Sequence, residues 1–222
     1  AARFDAETGL YSSLQDPQDE YRKQAFLTYD NVLTWKAMQD LAVLFERLKD
    51  PASAQEMTQK AGALRKAILQ RMVSDGAAGA TGPIFVCGTD GKKPLFDDIP
   101  PGSLLKLPAL GFVPENDPVF ARTYEWLHSK NFPYSYSDKP YGLPGSYRLP
   151  ITTSWSVADH LSLRRGREQA LKILRASSWD GGIISEGVDP SSGVVDYPGR
   201  AFATAAGYVA DAICREFCKP SP

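Results

Sequence analysis

Apolar residues recur at steps of three and four through much of this 222-residue chain, the spacing of amphipathic helices. The first such stretch starts at Tyr29 and carries Val32, Leu33, Trp35, Met38, Leu41, Leu44 and Phe45, with Asp30 or Asn31 available as N-cap. Lys49-Asp50-Pro51 interrupts it, and Pro51 suits the first position of a second helix. That helix carries Met57, Ala61, Leu64, Ile68, Leu69 and Met72 and stops near Asp75-Gly76. Two helices with so tight a joint make a helical hairpin. Pro100-Pro101 is expected to open another helical stretch through Leu104, Leu105 and Leu110 to Gly111. Asp117-Pro118 starts a further one, with Phe120, Tyr124, Trp126 and Leu127 inward. The pattern returns over residues 152–163, 167–177 and 201–217. Trp35, Trp126 and Trp155 read as core.

The remaining segments break this rhythm. Residues 1–25 are polar and irregular, and 76–93 are rich in glycine and alanine with one short β-like run at 83–87. Residues 131–149 form a long loop of Tyr, Ser, Pro and Gly, and 179–200 form another, WDGGIISEGVDPSSGVVDYPGR. Loops of that length are uncommon unless they line a site. Every second connection is short, and the others are long and rich in aromatic and acidic residues. The predicted fold class is therefore all-α, an (α/α)6-toroid type built of helical hairpins in one domain spanning 1–222. It is apparently incomplete, because a ring of six hairpins needs roughly twice as many helices at about 11–12 residues each. Completion by a second polypeptide or a second copy would show as an exposed apolar flank.

Composition narrows the chemistry. A hydrophobic fraction of 43% is that of an ordinary globular protein, and 25 basic against 26 acidic residues are spread without a basic run. Nucleic acid and anionic membrane are thus poor partners. No apolar run is long enough to span a bilayer, and the opening AARFDAETGLY is not a signal peptide. The expectation is a soluble protein, cytoplasmic or secreted after removal of a signal. Three cysteines give no paired framework; Cys214 and Cys218, four apart, read as buried or half-buried thiols sharing a helix face. His128 and His160 are the only histidines. Without CxxC, HExxH, GxGxxG or a Walker-type loop, no metal or cofactor is expected. Catalysis falls to carboxylates, hydroxyls and aromatics.

Two carboxylates on loops suit glycoside hydrolysis, in which one protonates the leaving oxygen and the other activates water or attacks. Glu186, between Gly182-Ile183-Ile184 and Gly187-Val188, is a single carboxylate among apolar and flexible residues, a setting that tunes its pKa. It is the candidate base. Asp16, Asp19 and Glu20 are candidate acids. Asp97 and Asp98 either contact substrate or cap the helix expected after them. Tyr134, Tyr136, Tyr141 and Tyr147 offer faces for a pyranose, or pack among themselves, and Arg148 offers a donor. Asp180, Asp189 and Asp196 read as turn and capping residues.

The run Phe96-Asp97-Asp98-Ile99-Pro100-Pro101-Gly102-Ser103-Leu104-Leu105-Lys106-Leu107-Pro108-Ala109-Leu110-Gly111 resembles the DDANVPSLLSLPYLG signature of glycoside hydrolase family 125, the metal-independent exo-α-1,6-mannosidases. Similar features follow in the same order. Asn131-Phe132-Pro133-Tyr134 is similar to NPYY, Gly142-Leu143-Pro144-Gly145-Ser146 to GLGSS, Leu149-Pro150-Ile151 to WPI, and Ile184-Ser185-Glu186-Gly187 to HES, whose glutamate is the general base. Upstream, Asp19-Glu20 and Phe26-Leu27-Thr28 are spaced like the family's SDDA and YLIPSN. The resemblance implies an inverting exo-glycosidase acting on an oligosaccharide, α-1,6-mannoside favoured. Asp19 would be its acid and Glu186 its base, with Glu20, Asp97, Asp98, Tyr134, Tyr147 and Arg148 at the sugar. It covers the C-terminal half of a family member. Ser185 and Tyr147 stand where the family has histidines, and Ala201, Thr204 and Ala206 replace its aromatic and asparagine positions. GGIISEGVDPSSG is also similar to the base-bearing segment of glucoamylase-type toroids, an α-glucosidase alternative; a non-catalytic carbohydrate-binding or scaffold fragment is the other. An inverting pair lies about 6.5–9.5 Å apart.

Overall fold

The computed structural model describes residues 3–19, 25–177, 179, 181–195, 199 and 201–218. The chain divides into two compact units, Ala1–Asp97 with Lys106–Thr123, and Asp98–Leu105 with Tyr124–Pro222.

The first unit is built on the predicted hairpin, α1 (Thr28–Arg47) and α2 (Pro51–Arg71). Asp50 caps α2 by accepting from the Ser53 amide at 3.1 Å, and Pro51 occupies its first turn, where a missing N–H costs nothing. The start of α1 differs from expectation. Its N-cap is Leu27, without a side-chain cap. Asn31 instead ties the helix to the segment before it, donating to the carbonyls of Leu27 and Tyr11 and accepting from the Tyr11 amide at 2.8 Å. Asp30 accepts from the Ser13 hydroxyl at 2.5 Å.

That preceding segment is not irregular. It forms an antiparallel hairpin of β1 (Arg3–Asp5) and β2 (Leu10–Ser12). β3 (Phe26–Leu27) pairs with β6 (Gly88–Thr89), which pairs with β7 (Pro94–Leu95), and β4 (Val73–Ser74) pairs with β5 (Ile84–Phe85). The predicted run at 83–87 thus includes β5, and the second helix ends at Arg71, where the chain turns into β4. Strands of two residues lie below what periodicity can detect. The core collects Val32, Trp35 and Met38 from α1, Ala61, Leu64 and Ile68 from α2, and Phe85, Phe112 and Phe120. Trp35 meets Phe112 edge-on at 5.1 Å, and the Arg65 guanidinium lies 4.6 Å over the Phe112 ring. Leu33, Leu41, Leu44 and Leu48 remain exposed, at 38–65%; α1 thus has a second apolar row opposite its buried one.

The helix expected over 100–111 is absent. Only a 3₁₀ turn forms, at Leu104–Lys106. Pro108 cannot donate within a helix, and Pro100 and Pro101 constrain the entry. Asp98 organises this loop, accepting from the Leu104 amide at 2.8 Å and the Ser103 hydroxyl at 2.6 Å. α3 (Pro118–Leu127) begins in the first unit, capped by Asp117, and ends in the second.

In the second unit, β8 (Thr152–Thr153) leads into α4 (Ser154–Leu161), capped by the Thr153 hydroxyl. α5 is Arg167–Ala176 and α6 is Ala203–Phe217. β9 (Gly187–Val188) pairs antiparallel with β8. Leu143, Val157, Leu161, Ala170, Ile173, Val188 and Val209 pack into one core cluster. Leu149, Ile151, Trp155 and Ala205 form a second. Every α4 residue is buried. Cys214 and Cys218 are both exposed free thiols, a correction to the expectation of buried or half-buried ones, because α6 buries Ala205, Val209 and Ala212 instead. The class is accordingly helical with six α-helices among the described residues, and with more short pairing than the single β element expected.

Candidate active site

Glu186 is held by its backbone on three sides. Its amide donates to the Gly199 carbonyl at 2.8 Å, and its own carbonyl accepts from the Ser154 amide, at the start of α4, at 2.9 Å. On its N-terminal side, the Ser185 carbonyl accepts from the Ser154 hydroxyl at 2.5 Å. On its C-terminal side, Gly187 enters β9 against Thr153. A Cβ at Gly187 would come within 2.5 Å of the Thr152 carbonyl, so this register needs glycine there. The carboxylate is half-buried. Loss of hydration raises its pKa above the ordinary carboxylate range, and the positive charge of Arg148 partly offsets this.

Ser185, at the histidine position of the resemblance, is buried, and its hydroxyl donates to the Gly187 carbonyl at 2.9 Å. It braces the turn. Tyr134 and Tyr147 have ring centroids 6.5 Å apart, and Phe132 meets Tyr134 edge-on at 5.6 Å. Tyr147 is 40% exposed and Tyr134 half-buried, so this short aromatic series presents an accessible end, beside the exposed Arg148.

Asp16, Asp19 and Asp97 belong to the first unit. Asp16 is buried and accepts from the Gln18 amide at 2.8 Å, while Asp19 is exposed with φ 63, a left-handed turn position that aspartate tolerates better than most residues. Asp30, read as a cap, is partly buried, and its pKa is raised by burial and by the charge of Asp16, against the Ser13 hydrogen bond. Asp97 is buried. Asp98, in the second unit, caps its own loop as described above. Glu20, Asp180 and Asp196 lie outside the described residues. Asp189 makes the turn expected of it, accepting from the Ser191 and Ser192 amides.

Three features escaped sequence reading. Gly199 lies against the Glu186 side chain. Asp159, buried on α4, accepts from the Tyr208 hydroxyl at 3.2 Å. His128 and His160 bring their Nε2 atoms to 2.9 Å, while each Nδ1 lies on the carbonyl four residues earlier, Tyr124 at 2.7 Å and Ser156 at 2.6 Å. Only the i–4 geometry of histidines on helices could have hinted at the last. Among the described residues, no group of three or more His, Cys, Asp or Glu could hold a metal ion, and no helix is long and apolar enough to cross a membrane.

This arrangement is similar to part of the α/α toroid glycosidases. A metal-independent alpha mannosidase of Streptococcus pneumoniae, solved as a non-productive complex with alpha-1,6-mannobiose, matches with a TM-score of 0.81 at 17% identity, over 98% of this chain and 53% of that one. A bacterial glucoamylase complexed with acarbose matches with a TM-score of 0.61 at 19% identity, over 85% of this chain and 33% of that one. At such identities the likeness is one of fold. The chain spans about half the length of the mannosidase it matches. No curated protein matches the chain. The model of the metal-independent alpha-mannosidase family, glycoside hydrolase family 125, matches residues 2–214, and the chain belongs to that family.

Proposed function

We propose that this chain is the catalytic-base half of a toroid-type glycosidase domain and contributes to inverting, exo-acting hydrolysis of α-linked sugars, with α-1,6-mannosides as the favoured oligosaccharide. The observation that carries the proposal is the half-buried Glu186 carboxylate, held by Gly199 and Ser154 and raised in pKa by lost hydration. In this reading Glu186 removes a proton from the attacking water, and Asp19, through its family position, protonates the leaving oxygen. Tyr134, Tyr147 and Arg148 receive the sugar, with Glu20, Asp97 and Asp98 as further contacts by family position. Membership of the family and the mannobiose bound to the mannosidase relative support the substrate class.

The test is turnover of alpha-1,6-mannobiose and an aryl α-mannoside by wild type, Glu186→Gln and Asp19→Asn, beside calorimetric titration with the disaccharide. Loss of a general base or acid removes about 10²–10⁴-fold of rate. Glu186→Gln with wild-type turnover would remove Glu186 from the mechanism. Binding without turnover in the wild type would favour the non-catalytic reading, and turnover of maltose instead the glucoamylase-like one.

A further inference from the structure

The backbone at Gly199 does more than close the turn. Its carbonyl accepts the Glu186 amide at 2.8 Å, and its missing side chain leaves the volume that Glu186 fills. A Cβ built at position 199 would collide with Glu186 Oε2 and lie 2.6 Å from Glu186 Cβ and 3.3 Å from Glu186 Cδ. A clash with Oε2 alone could be relieved by rotating the end of the side chain. One with Cβ cannot, because Cβ is fixed by the backbone, and that backbone is tied to Gly199 on one side and to Ser154 on the other. Any side chain at 199 therefore forces a choice between breaking the hydrogen bond from the Glu186 amide to the Gly199 carbonyl and shifting the carboxylate.

We propose that Gly199 is a positioning residue for the Glu186 carboxylate, its lack of a side chain setting both where the carboxylate lies and how deeply it is buried. The catalytic consequence rests on the proposed role of Glu186 as base; the steric one does not. The residue acts through Glu186 and needs no contact with substrate. A misplacement of about 1 Å in a reacting group can cost about 10²-fold in rate.

Two measurements test this separately. The first needs no activity: the melting temperature of Gly199→Ala is compared in the wild-type and Glu186→Gly backgrounds. If the Glu186 side chain fills the space, Gly199→Ala lowers the melting temperature in the first background and has little effect in the second. An equal drop in both, or none in either, overturns the proposal whatever the enzyme does. The second is the pH profile of turnover for Gly199→Ala. A kcat lowered by about 10²-fold with KM nearly unchanged is expected, with the acid limb moved to lower pH as the displaced carboxylate regains water. A profile with wild-type kcat and limb overturns the positioning role. Glu186→Gln measured alongside separates the two failures: if it turns over normally the base assignment falls, while the melting comparison still decides the role of Gly199.

Discussion

The two histidines supply the sharpest stability prediction. His160 is wholly buried and His128 partly so, and burial lowers both pKa values, to about 4 for His128 and about 3 for His160. For His160 the neighbouring His128 adds to the depression, and for each the backbone carbonyl opposes it. Aromatic and charged groups lie beside the pair. Tyr124 stacks on His128 at 3.9 Å, Gly166 at the start of α5 leaves room for the His160 ring, and Arg165 lies 5.8 Å over the Tyr124 ring with Glu125 beside it. With both imidazoles neutral and each Nδ1–H given to a carbonyl, the two Nε2 lone pairs face each other; a proton between them would join them, but burial opposes the charge. An unfolded histidine titrates near 6.5, so between pH 6.5 and about 4 the unfolded chain binds the proton and the folded chain does not. Stability is thus fully present above pH 6.5 and lost as pH falls. For His128 the gap from 6.5 to about 4 corresponds to ~3 kcal/mol, at 1.36 kcal/mol per unit. The His160 contribution is not added, since part of its depression comes from His128. The assay is urea unfolding, followed by circular dichroism, of wild type and His128→Gln from pH 7 to 4. The wild type is expected to lose ~3 kcal/mol relative to the variant over that range. A constant difference would refute the reasoning. A difference of opposite sign would show that the pair shares a proton in the folded state.

Two further predictions concern the site and the surface. Removing the positive charge in Arg148→Met should raise the Glu186 pKa further, because Arg148 is the influence that lowers it, so the acid limb of the pH-rate profile should move to higher pH; an unmoved limb would separate Arg148 from the base. Leu33, Leu41 and Leu44 leave an exposed apolar row along α1, and a row of this kind favours association with a second copy of this chain. Sedimentation velocity should then show concentration-dependent association in the wild type and a monomer in the Leu41→Glu, Leu44→Glu double variant, whereas a wild type that stays monomeric at all concentrations would count against it.

What could be read from the chain in advance follows from how far apart in sequence the causes lie. The α1–α2 hairpin was legible because its causes are local: period, a breaking Asp50-Pro51, and a proline suited to a first turn. The stretch after Pro100-Pro101 misled for the converse reason. Its leucines keep helical spacing, but Pro108 denies a backbone donor and Asp98 spends both carboxylate oxygens on Ser103 and Leu104, so the loop is held by a side chain six residues away rather than by a helix ladder. Leu33, Leu41 and Leu44 sat in the helical pattern without being core, since periodicity reports two apolar rows and cannot say which one is covered. At the site, an apolar and flexible setting around Glu186 could be seen in its neighbours, yet what holds it could not. Ser154 lies 32 positions before it and Gly199 13 after it, and a glycine that makes room for a distant side chain looks in sequence like any glycine in a turn. The same limit applies to Asp19. The family spacing singles it out, while its backbone makes a left-handed turn position. A carboxylate's chemistry is set by what folds against it, and for Glu186 those neighbours, Ser154 and Gly199, are remote in sequence.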